Sequence, residues 1–492
     1  MFKNGIYNLA GTVARLGLSI LSVPLLLQFL GSSSYGLYAI LQAIINLAVL
    51  SEWSICMVLT VFVSQTDDEE TNTNDTLRQA LVLVVGLASI TSLILWIASP
   101  LLTLAFPNLN NTDRELLQRG CQSASIVVFF RLLQQYFVGI EQAYGQYKLL
   151  NSINTFFNIS QTALILIVAR WYEGIIPLVI VQAGTSIFFL IIHWSLCYKK
   201  KLLITFKWDG NLRWNQFKRM LLFGGRTFIG GVGSAFFNQG DRIIVGRLLG
   251  LEASGVYSAL TGIATQIHTL STMSVQPLIP VLSRLLSEEN AGTQLVLAVR
   301  NKLKTTICRA TMLNAVLAVG MGCFMITFAP EISFFLFKHQ MPNSFNTIKA
   351  LRIIASIYTL YSLNGVGYYI LFAIKREGIN TIVSLICGPF SLLMIGLLAH
   401  FYGLTGALIG NMGYLFTLYL LIVGFKLVHL KWITWLSVVW KPLSIFILVI
   451  LVTPFIDSLI SRIIIFVSLS GILCLPIFKE GYNYILLKDA KV

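Results

Sequence analysis

The sequence predicts an all-α protein that crosses a membrane many times. Two observations indicate this fold class: the amino-acid composition and the length of the apolar runs. Hydrophobic residues make up 56% of the 492 residues and charged residues only 11%, whereas a soluble domain carries about 25% charged residues. The mean hydropathy is +0.79. The apolar runs reach the ~20 residues that a membrane-spanning helix needs, and they lack the alternation of barrel strands. A soluble enzyme, a nucleic-acid-binding protein, a disordered chain and a secreted disulfide scaffold are excluded as first interpretations.

Fourteen segments are long and apolar enough to be spans. They are predicted at residues 5–30, 35–64, 79–106, 118–142, 148–170, 174–197, 219–249, 254–285, 303–329, 347–375, 379–401, 404–426, 437–456 and 460–480. An even number of spans places both termini on one side of the membrane. With cytoplasmic termini, the cytoplasmic segments hold 22 Lys and Arg residues and the outer segments hold 6. Because cytoplasmic loops carry the excess of basic residues, this ratio predicts that both termini are cytoplasmic.

A basic linker at 198–218 divides the first twelve spans into two sets of six. It is predicted as an interfacial amphipathic helix or as a basic loop with anchoring aromatic residues. The resulting domains are an N-terminal six-helix lobe at 1–197, a C-terminal six-helix lobe at 219–426, and two further helices with a cytoplasmic tail at 427–492. Spans 13 and 14 are almost free of charge and are expected to lie against lipid.

An internal repeat supports this division. Residues 30–41 align without a gap to residues 249–260, with identical residues at Leu30 and Leu249, Gly31 and Gly250, Gly36 and Gly255, Tyr38 and Tyr257, and Leu41 and Leu260. Both copies join an odd span to an even span on the outer side. Since each half contains six spans, the halves run in the same direction and are expected to be related by an axis along the membrane normal.

Charged residues inside the spans are the main functional candidates, because each costs about 2.5–3.5 kcal/mol at mid-membrane and usually faces a bundle interior or a wet cavity. The acids within or near the spans are Glu52, Glu141 and Asp241. Seven arginines within the spans outnumber these acids, and the guanidinium groups of arginine suit the binding of phosphate and pyrophosphate. These predicted substrate-binding residues are Arg15, Arg131, Arg226, Arg242, Arg247, Arg309 and Arg352.

Polar residues recur at helical spacing in spans 1, 5, 7 and 8, and place one polar face on each helix. Two interpretations stay open: a shared central cavity between the lobes, or hydrogen bonding between helices. The cavity is favoured where the faces carry arginine or histidine. The predicted polar cavity residues are Asn8, Thr12, Asn154, Asn158 and Asn238, and the candidate coupling residues are Asp241, Glu52 and His268. Asp241 could instead neutralise Arg242, and His268 could be an ordinary core histidine.

Signatures of enzymatic or metal chemistry are absent from the sequence. It contains no P-loop, zincin pair or nucleophile elbow. The seven cysteines are scattered without metal or redox spacing and are predicted to be small core residues. The acidic stretch at 67–70 is interpreted as a solvated turn. No cofactor and no metal are predicted.

Two stretches resemble a known family. Asn8, Arg15 and residues 30–38 in the first half, and residues 238–257 in the second half, are similar to bacterial polysaccharide flippases of the O-antigen (Wzx) type, within the multidrug and oligosaccharidyl-lipid exporter superfamily. The layout of nearly the whole chain agrees, but the specific motifs cover only spans 1–2 and 7–8. Arg15 matches the family's first-helix cation, and Asp241 matches the acid of its seventh helix.

The resemblance implies a transporter in the bacterial cytoplasmic (inner) membrane rather than an enzyme. By alternating access through a cationic cavity, it would flip an undecaprenyl-pyrophosphate-linked oligosaccharide to the outer leaflet for lipopolysaccharide assembly. Candidate partners are the lipid bilayer, H⁺ or Na⁺ as coupling ion, and other membrane proteins of polysaccharide assembly. Nucleic acid is not expected. The alternatives are a peptidoglycan-precursor flippase, a multidrug extruder, and a membrane glycosyltransferase or polymerase. Seven arginines against three acids argue against the extruder, and short outer loops argue against the enzyme.

Overall fold

A computed structural model of the chain describes residues 2–64, 70–172, 174–200, 214–276, 278–290, 296–337, 346–374, 376–456 and 458–473. All regular secondary structure in these ranges is helical, which confirms the all-α class. Most of the linker predicted at 198–218 and the acidic stretch at 67–70, apart from its last residue, lie outside the described residues.

Seventeen α-helices are present in the described ranges. They are α1 Phe2–Ala48, α2 Ser51–Ser64, α3 Glu70–Leu104, α4 Asn111–Ala143, α5 Tyr147–Trp171, α6 Ile176–Lys199, α7 Trp214–Leu249, α8 Leu251–Met273, α9 Leu278–Asn290, α10 Val296–Thr327, α11 Ala329–Phe337, α12 Thr347–Ser362, α13 Gly365–Ala373, α14 Glu377–Gly410, α15 Tyr419–Leu427, α16 Trp432–Val452 and α17 Leu459–Leu473. Two 3₁₀ segments, Asn411–Leu418 and Thr453–Phe455, follow α14 and α16.

Several helices are long and apolar enough to cross a membrane, as the composition predicts. Within the described ranges there are seven such segments: Thr73–Leu104, Asn111–Ala143, Leu149–Trp171, Ile176–Lys199, Val299–Thr327, Gly378–Leu427 and Trp432–Phe455. The protein is therefore a polytopic membrane protein, and the total of fourteen spans stays a prediction.

The chain forms two compact units, residues 1–259 (unit 1) and 260–492 (unit 2). In unit 1, α4 packs against α2, α3 and α6, while α7 packs against α1 and α2. In unit 2, α10 packs against α12 and α16, and α9 packs against α10 and α13. The lobe boundaries at the basic linker stay a prediction.

Both copies of the sequence repeat, apart from Leu260, lie in unit 1 and have the same backbone conformation at their first glycine. Gly31 has a φ of 80° and Gly250 a φ of 87°. This left-handed region is accessible to glycine at little cost, because glycine has no Cβ. At Gly31 the chain leaves helical geometry inside α1, and at Gly250 it passes from α7 to α8.

The two repeat copies also pack directly against each other. A Cβ on Gly36 would overlap the carbonyl group of Leu251, and a Cβ on Gly255 would overlap the carbonyl group of Ser32. In the repeat alignment, Ser32 corresponds to Leu251 and Gly36 to Gly255, so the contact is reciprocal. Reciprocal contacts of this kind are the pattern that a two-fold axis produces, and they support the parallel repeat.

Several segments differ from the spans predicted by apolar run length. The second, eighth and tenth predicted spans are interrupted between α1 and α2, α8 and α9, and α12 and α13, and the twelfth contains the 3₁₀ segment Asn411–Leu418. The stretch 330–346 between the ninth and tenth predicted spans contains most of the helix α11, whose sequence has three phenylalanines. Run length detects apolar residues, but it does not detect the turn and side-chain hydrogen bonds that satisfy the backbone at these interruptions.

Candidate functional site

Five of the predicted site residues lie in helices, but their side chains are outside the described part of the chain. Asn8, Thr12 and Arg15 belong to α1, and Arg226 and Asn238 belong to α7. Their predicted roles in substrate binding stay predictions.

Arg131 and Glu52, predicted as a substrate-binding cation and a coupling acid, pair with each other. Nε of Arg131 lies 2.8 Å from Oε1 of Glu52, and Nη2 donates a hydrogen bond of 3.3 Å to Oε2. The pair joins α4 to the first turn of α2, and both side chains are partly buried. Each charge is thus compensated by the other, which lowers the cost of keeping either one in a low-dielectric environment.

Asp241 and Arg242 are adjacent in α7, and the acid accepts two hydrogen bonds besides its electrostatic interaction with the Arg242 charge. Oδ1 of Asp241 accepts a hydrogen bond of 2.8 Å from the backbone N–H of Arg242, and Oδ2 accepts one of 3.1 Å from the Tyr257 hydroxyl. Tyr257 belongs to the second repeat copy, so the buried carboxylate ties α7 to α8. Arg242 also acts electrostatically on Tyr35 of the first copy.

The guanidinium group of Arg242 retains unused hydrogen-bonding capacity. Within the described residues, its Nε is buried and has no hydrogen-bond partner, and its side chain forms no ion pair with Asp241. An arginine side chain has five N–H donors and no hydrogen-bond acceptor. The Nε of Arg242 is therefore a buried donor that could serve a further anionic partner.

The remaining described arginines have different environments. Arg247 is exposed at the end of α7, where its carbonyl accepts a hydrogen bond from Asn108. Arg309 is exposed on α10. Arg352 donates hydrogen bonds to the carbonyl groups of Ile326 and Thr453, and these bonds connect α12 to α10 and to the end of α16.

Charge accumulates beside Arg352 in unit 2. The nearby Arg462 repels it electrostatically and itself forms an ion pair of 3.0 Å with Glu331. Arg462 is almost fully buried in α17. Two arginines and one acid therefore meet where α12 approaches the predicted last span, a site that run length and spacing did not indicate.

The polar face of α5 makes hydrogen bonds chiefly within its own helix. Asn158 is exposed and donates a bond of 2.6 Å to the Asn154 carbonyl, and Thr162 donates one to the Asn158 carbonyl. Gln161 reaches Thr185 of α6 at 3.3 Å. The Gln161–Thr185 contact thus joins α5 to α6. The exposed side-chain oxygen of Asn158 can still accept a hydrogen bond.

His268 lies in an aromatic cluster of unit 2. Its ring stacks on Tyr361 with 4.1 Å between ring centroids, and Tyr361 in turn packs against Tyr358 and Tyr414. In the part of unit 2 that the structure describes, Nδ1 of His268 has no hydrogen-bond partner. The residue combines the packing of a core histidine with one free ring nitrogen, so its coupling role stays a prediction.

One buried polar pair was not identified as a site from the sequence. His193 of α6 places Nδ1 3.0 Å from both carboxylate oxygens of Glu141 in α4, and both side chains are almost completely inaccessible. Glu141 was recognised as a charge within a span, but nothing in the spacing linked it to a histidine 52 positions away. A search for histidines inside apolar runs would have found His193.

The structure thus brings the predicted residues together in pairs rather than in one cluster. In unit 1, Glu52 meets Arg131, and Asp241 lies beside Arg242. No group of three or more His, Cys, Asp or Glu side chains suited to a metal occurs among the described residues. A common binding role of the seven arginines stays a prediction.

Comparison with known proteins gives a family and a fold. The family model described as polysaccharide biosynthesis protein matches residues 1–286. No curated protein matches the sequence.

Among solved structures, the chain is similar to the lipid II flippase MurJ in an inward closed conformation, with 16% identity, a TM-score of 0.75, and coverage of 97% of this chain and 100% of that chain. An inward-facing multidrug resistance MATE transporter of the MOP superfamily shows 15% identity, a TM-score of 0.66, and coverage of 84% and 94%. A MOP superfamily transporter from Pyrococcus furiosus, described as having a binding pocket of reverse polarity, shows 12% identity, a TM-score of 0.51, and coverage of 86% and 92%. At these identities the likeness establishes the fold.

Proposed function

Because the chain belongs to the polysaccharide biosynthesis protein family, we propose that it is a flippase for an undecaprenyl-pyrophosphate-linked oligosaccharide. It moves this lipid from the cytoplasmic to the outer leaflet of the bacterial inner membrane, without catalysing a reaction, by exposing its binding residues to each side in turn. The family description and the fold shared with a lipid II flippase support a lipid-linked saccharide as substrate. An O-antigen repeat unit is the proposed glycan.

The proposal rests mainly on the hydrogen-bonding environment of Arg242. Both oxygens of its neighbour Asp241 are engaged by Tyr257 and by backbone N–H, while the guanidinium group keeps a buried Nε without a partner among the described residues. A pyrophosphate offers several acceptor oxygens at the spacing of the guanidinium fork, and such charge-assisted bonds are about twice as strong as neutral ones. We assign Arg242 to pyrophosphate binding, together with Arg15 of α1.

A peptidoglycan-precursor flippase is the second candidate, favoured by the similarity to MurJ over 97% of the chain. Its substrate would present the same polyprenyl pyrophosphate and differ in the sugar. A multidrug extruder is less well supported, because organic cations need acids in the binding site, and here arginines predominate.

The membrane potential supplies part of the driving force. Moving about two uncompensated negative charges outward across 100 mV is favourable by roughly 4.6 kcal/mol when the inside is negative. Coupling to H⁺ or Na⁺ through Asp241, Glu52 or His268 would add to this. Of the two acids, Asp241 is the stronger proposal, since Glu52 is already in an ion pair with Arg131.

Complementation of a flippase-deleted strain tests the proposal. We expect Arg242→Ala and Arg15→Ala to abolish surface polysaccharide while membrane abundance stays normal, because removal of a membrane charge does not oppose insertion. Lysine at either position should rescue only in part, since it lacks the bidentate fork. Arg15→Glu should be worse than Arg15→Ala. Arg119→Ala, which removes an exposed arginine paired with Glu115, is the matched control.

A strain depleted of its lipid II flippase provides the second arm. Rescue of the polysaccharide-deficient strain alone supports the oligosaccharide flippase, and rescue of the lipid II-deficient strain alone supports the second candidate. Full polysaccharide from the double variant Arg15→Ala and Arg242→Ala would refute the pyrophosphate assignment.

A further inference from the structure

Unit 1 contains a large apolar cavity that the proposed binding arginines do not explain. Its volume is about 630 Å³, which falls within the range of about 300–1,000 Å³ for small-molecule sites. The end of α1 and one face each of α2, α3 and α7 form its walls. The wall residues of α7 recur at steps of three and one, which places them on a single face: Phe217, Met220, Leu221, Gly224, Gly225 and Phe228.

Glycines create the space. Gly86 of α3 and Gly225 of α7 both line the cavity, and no heavy atom lies within 4 Å of a Cβ built on either one. Larger side chains at these positions would fill the gap between the helices. Ile90 and Leu221, also in the wall, are more than half exposed, so the cavity is open on one side.

Water is a poor occupant of this cavity. A buried water needs two to four polar partners, and the wall is almost entirely aliphatic and aromatic. Its hydroxyl groups come from Ser51, Ser54 and Thr91. Ser54 already donates to the Ser51 carbonyl at 2.8 Å. A hydrocarbon chain fits such a wall better than any polar ligand.

The depth and the charge at one end indicate which hydrocarbon. From Phe217 to Phe228 the helix rises about 16 Å, roughly half of the ~30 Å hydrocarbon core and thus one leaflet. The orientation predicted by the basic residues makes this the cytoplasmic leaflet. Lys218 and Arg219 are exposed beside the cytoplasmic end of the cavity, and would meet an anionic head group.

Polar contacts join α3 and α7 next to this end of the cavity. Gln216 donates a hydrogen bond of 2.7 Å to Thr76, and Gln79 donates one of 3.2 Å to Gln216. These contacts hold the first turns of α7 against α3 just below the apolar walls. The site therefore has the layout of an amphiphile: a basic polar end followed by an apolar body one leaflet deep.

We infer that this cavity binds the prenyl chain of an anionic polyprenyl lipid while its phosphate lies near Lys218 and Arg219. The inference rests on the proposed function, which supplies a polyprenyl carrier in the cytoplasmic leaflet. The branch methyl groups of a prenyl chain require a wider channel than a straight acyl chain does. The open space at the Cβ positions of Gly86 and Gly225 provides that width. The cavity thus retains the lipid tail on the side from which the substrate is loaded.

The test combines variants whose larger side chains fill the cavity with photo-cross-linking by an undecaprenyl phosphate that carries a photoactivatable group. The purified full-length protein is labelled in proteoliposomes, and cross-linked peptides are identified by mass spectrometry. We expect label on α2, α3 and the first turns of α7 in the wild type. In the double variant Gly86→Leu and Gly225→Leu, labelling should fall by about tenfold or more. Leucine raises helix propensity over glycine, so folding should be retained.

Gly184→Leu is the matched control, because Gly184 in α6 also has open space around its Cβ position but does not line the cavity. Its labelling should equal that of the wild type. If the double variant is not monodisperse, Gly225→Leu alone carries the test with the same expected direction. Replacing Lys218 and Arg219 with alanine should lower labelling several-fold by removing the head-group contacts.

Competition identifies the occupant. Excess unlabelled undecaprenyl phosphate should remove the label, and dioleoyl phosphatidylglycerol should not. Equal competition by the phospholipid would overturn the inference, because the cavity would then hold any anionic lipid. Unchanged labelling in the filled variants would also overturn it. Complementation separates the two proposals: normal polysaccharide export with no label in the cavity rejects this inference alone, whereas a labelled cavity without export in either strain rejects the proposed function.

Discussion

The contact between the two repeat copies is close enough that a single methyl group should disrupt it. A Cβ on Gly36 would lie 2.8 Å from the carbonyl carbon of Leu251 and 2.9 Å from the backbone nitrogen of Gly255, and closer still to the Leu251 oxygen. All three neighbours are backbone atoms, so no side-chain rotation can relieve the overlap. Gly36→Ala must therefore move one helix end away from the other.

The size of the effect follows from these distances. Non-bonded carbon atoms approach to about 3.5 Å, so the 2.8 Å contact requires a backbone displacement of at least ~0.7 Å. Overpacking of this kind costs about 1–3 kcal/mol. Against it stands the gain in helix propensity of alanine over glycine, about 0.8–1.0 kcal/mol. Gly17→Ala, in the same helix with open space around its Cβ position, receives the gain without the cost.

Comparison of the two variants isolates the contact. We expect Gly36→Ala to be less stable than Gly17→Ala by about 1–3 kcal/mol, measured as a lower midpoint of heat-induced loss of monodisperse protein in detergent. Gly255→Ala should behave like Gly36→Ala, since its Cβ would meet the Ser32 carbonyl. The double variant should cost less than the sum, because one separation accommodates both methyl groups, with a coupling of about 0.5–3 kcal/mol. A Gly36→Ala midpoint equal to or above that of Gly17→Ala would refute the close contact.

Two further predictions concern orientation and the Glu52–Arg131 pair. In a background without the seven native cysteines, a cysteine at Asn110 should react with an impermeant thiol reagent in intact cells and one at Asn211 should not; the reverse pattern would overturn the orientation derived from the basic residues. Glu52→Gln should lower stability by about 1.5–3 kcal/mol, because it removes a charged hydrogen-bond acceptor from Arg131, and Glu52→Gln with Arg131→Gln should recover part of that loss. A single variant as stable as the wild type in the same detergent assay would show that the pair contributes nothing.

Much of the fold follows from one-dimensional properties of the sequence. Apolar run length predicts helices that cross the membrane. The repeat predicts two equivalent turns, which the matching positive φ angles of Gly31 and Gly250 confirm, while their position on the outer side stays a prediction. Run length fails where a span is interrupted. The break between α12 and α13 depends on bonds from distant side chains, such as Asn364 to Thr417 at 2.7 Å, and a window of neighbouring residues does not contain that information.

The site was only partly predictable for a related physical reason. Periodicity shows which residues share a face of one helix, but it does not show what that face meets. Glu52 and Arg131 were each identified as charges in a span, and their pairing across 79 positions is visible only in three dimensions. The same holds for His193 with Glu141.

The pattern of pairing changes how the intramembrane charge should be counted. Subtracting three acids from seven arginines assumes that each acid neutralises one arginine. Among the described residues, Glu52 does so with Arg131, whereas Glu141 engages a histidine. Asp241 interacts electrostatically with Arg242, but its oxygens accept hydrogen bonds from Tyr257 and backbone N–H.

The seven arginines should therefore not contribute equally to substrate binding. Arg131 already has a carboxylate partner, so its replacement should mainly reduce stability, through the charge left on Glu52. Arg242 keeps donors for an anion, so its replacement should mainly reduce transport. Measuring abundance and polysaccharide export for both alanine variants distinguishes these roles. If Arg131→Ala lost export at normal abundance and Arg242→Ala lost abundance instead, the assignment of the binding cation would have to be exchanged between them.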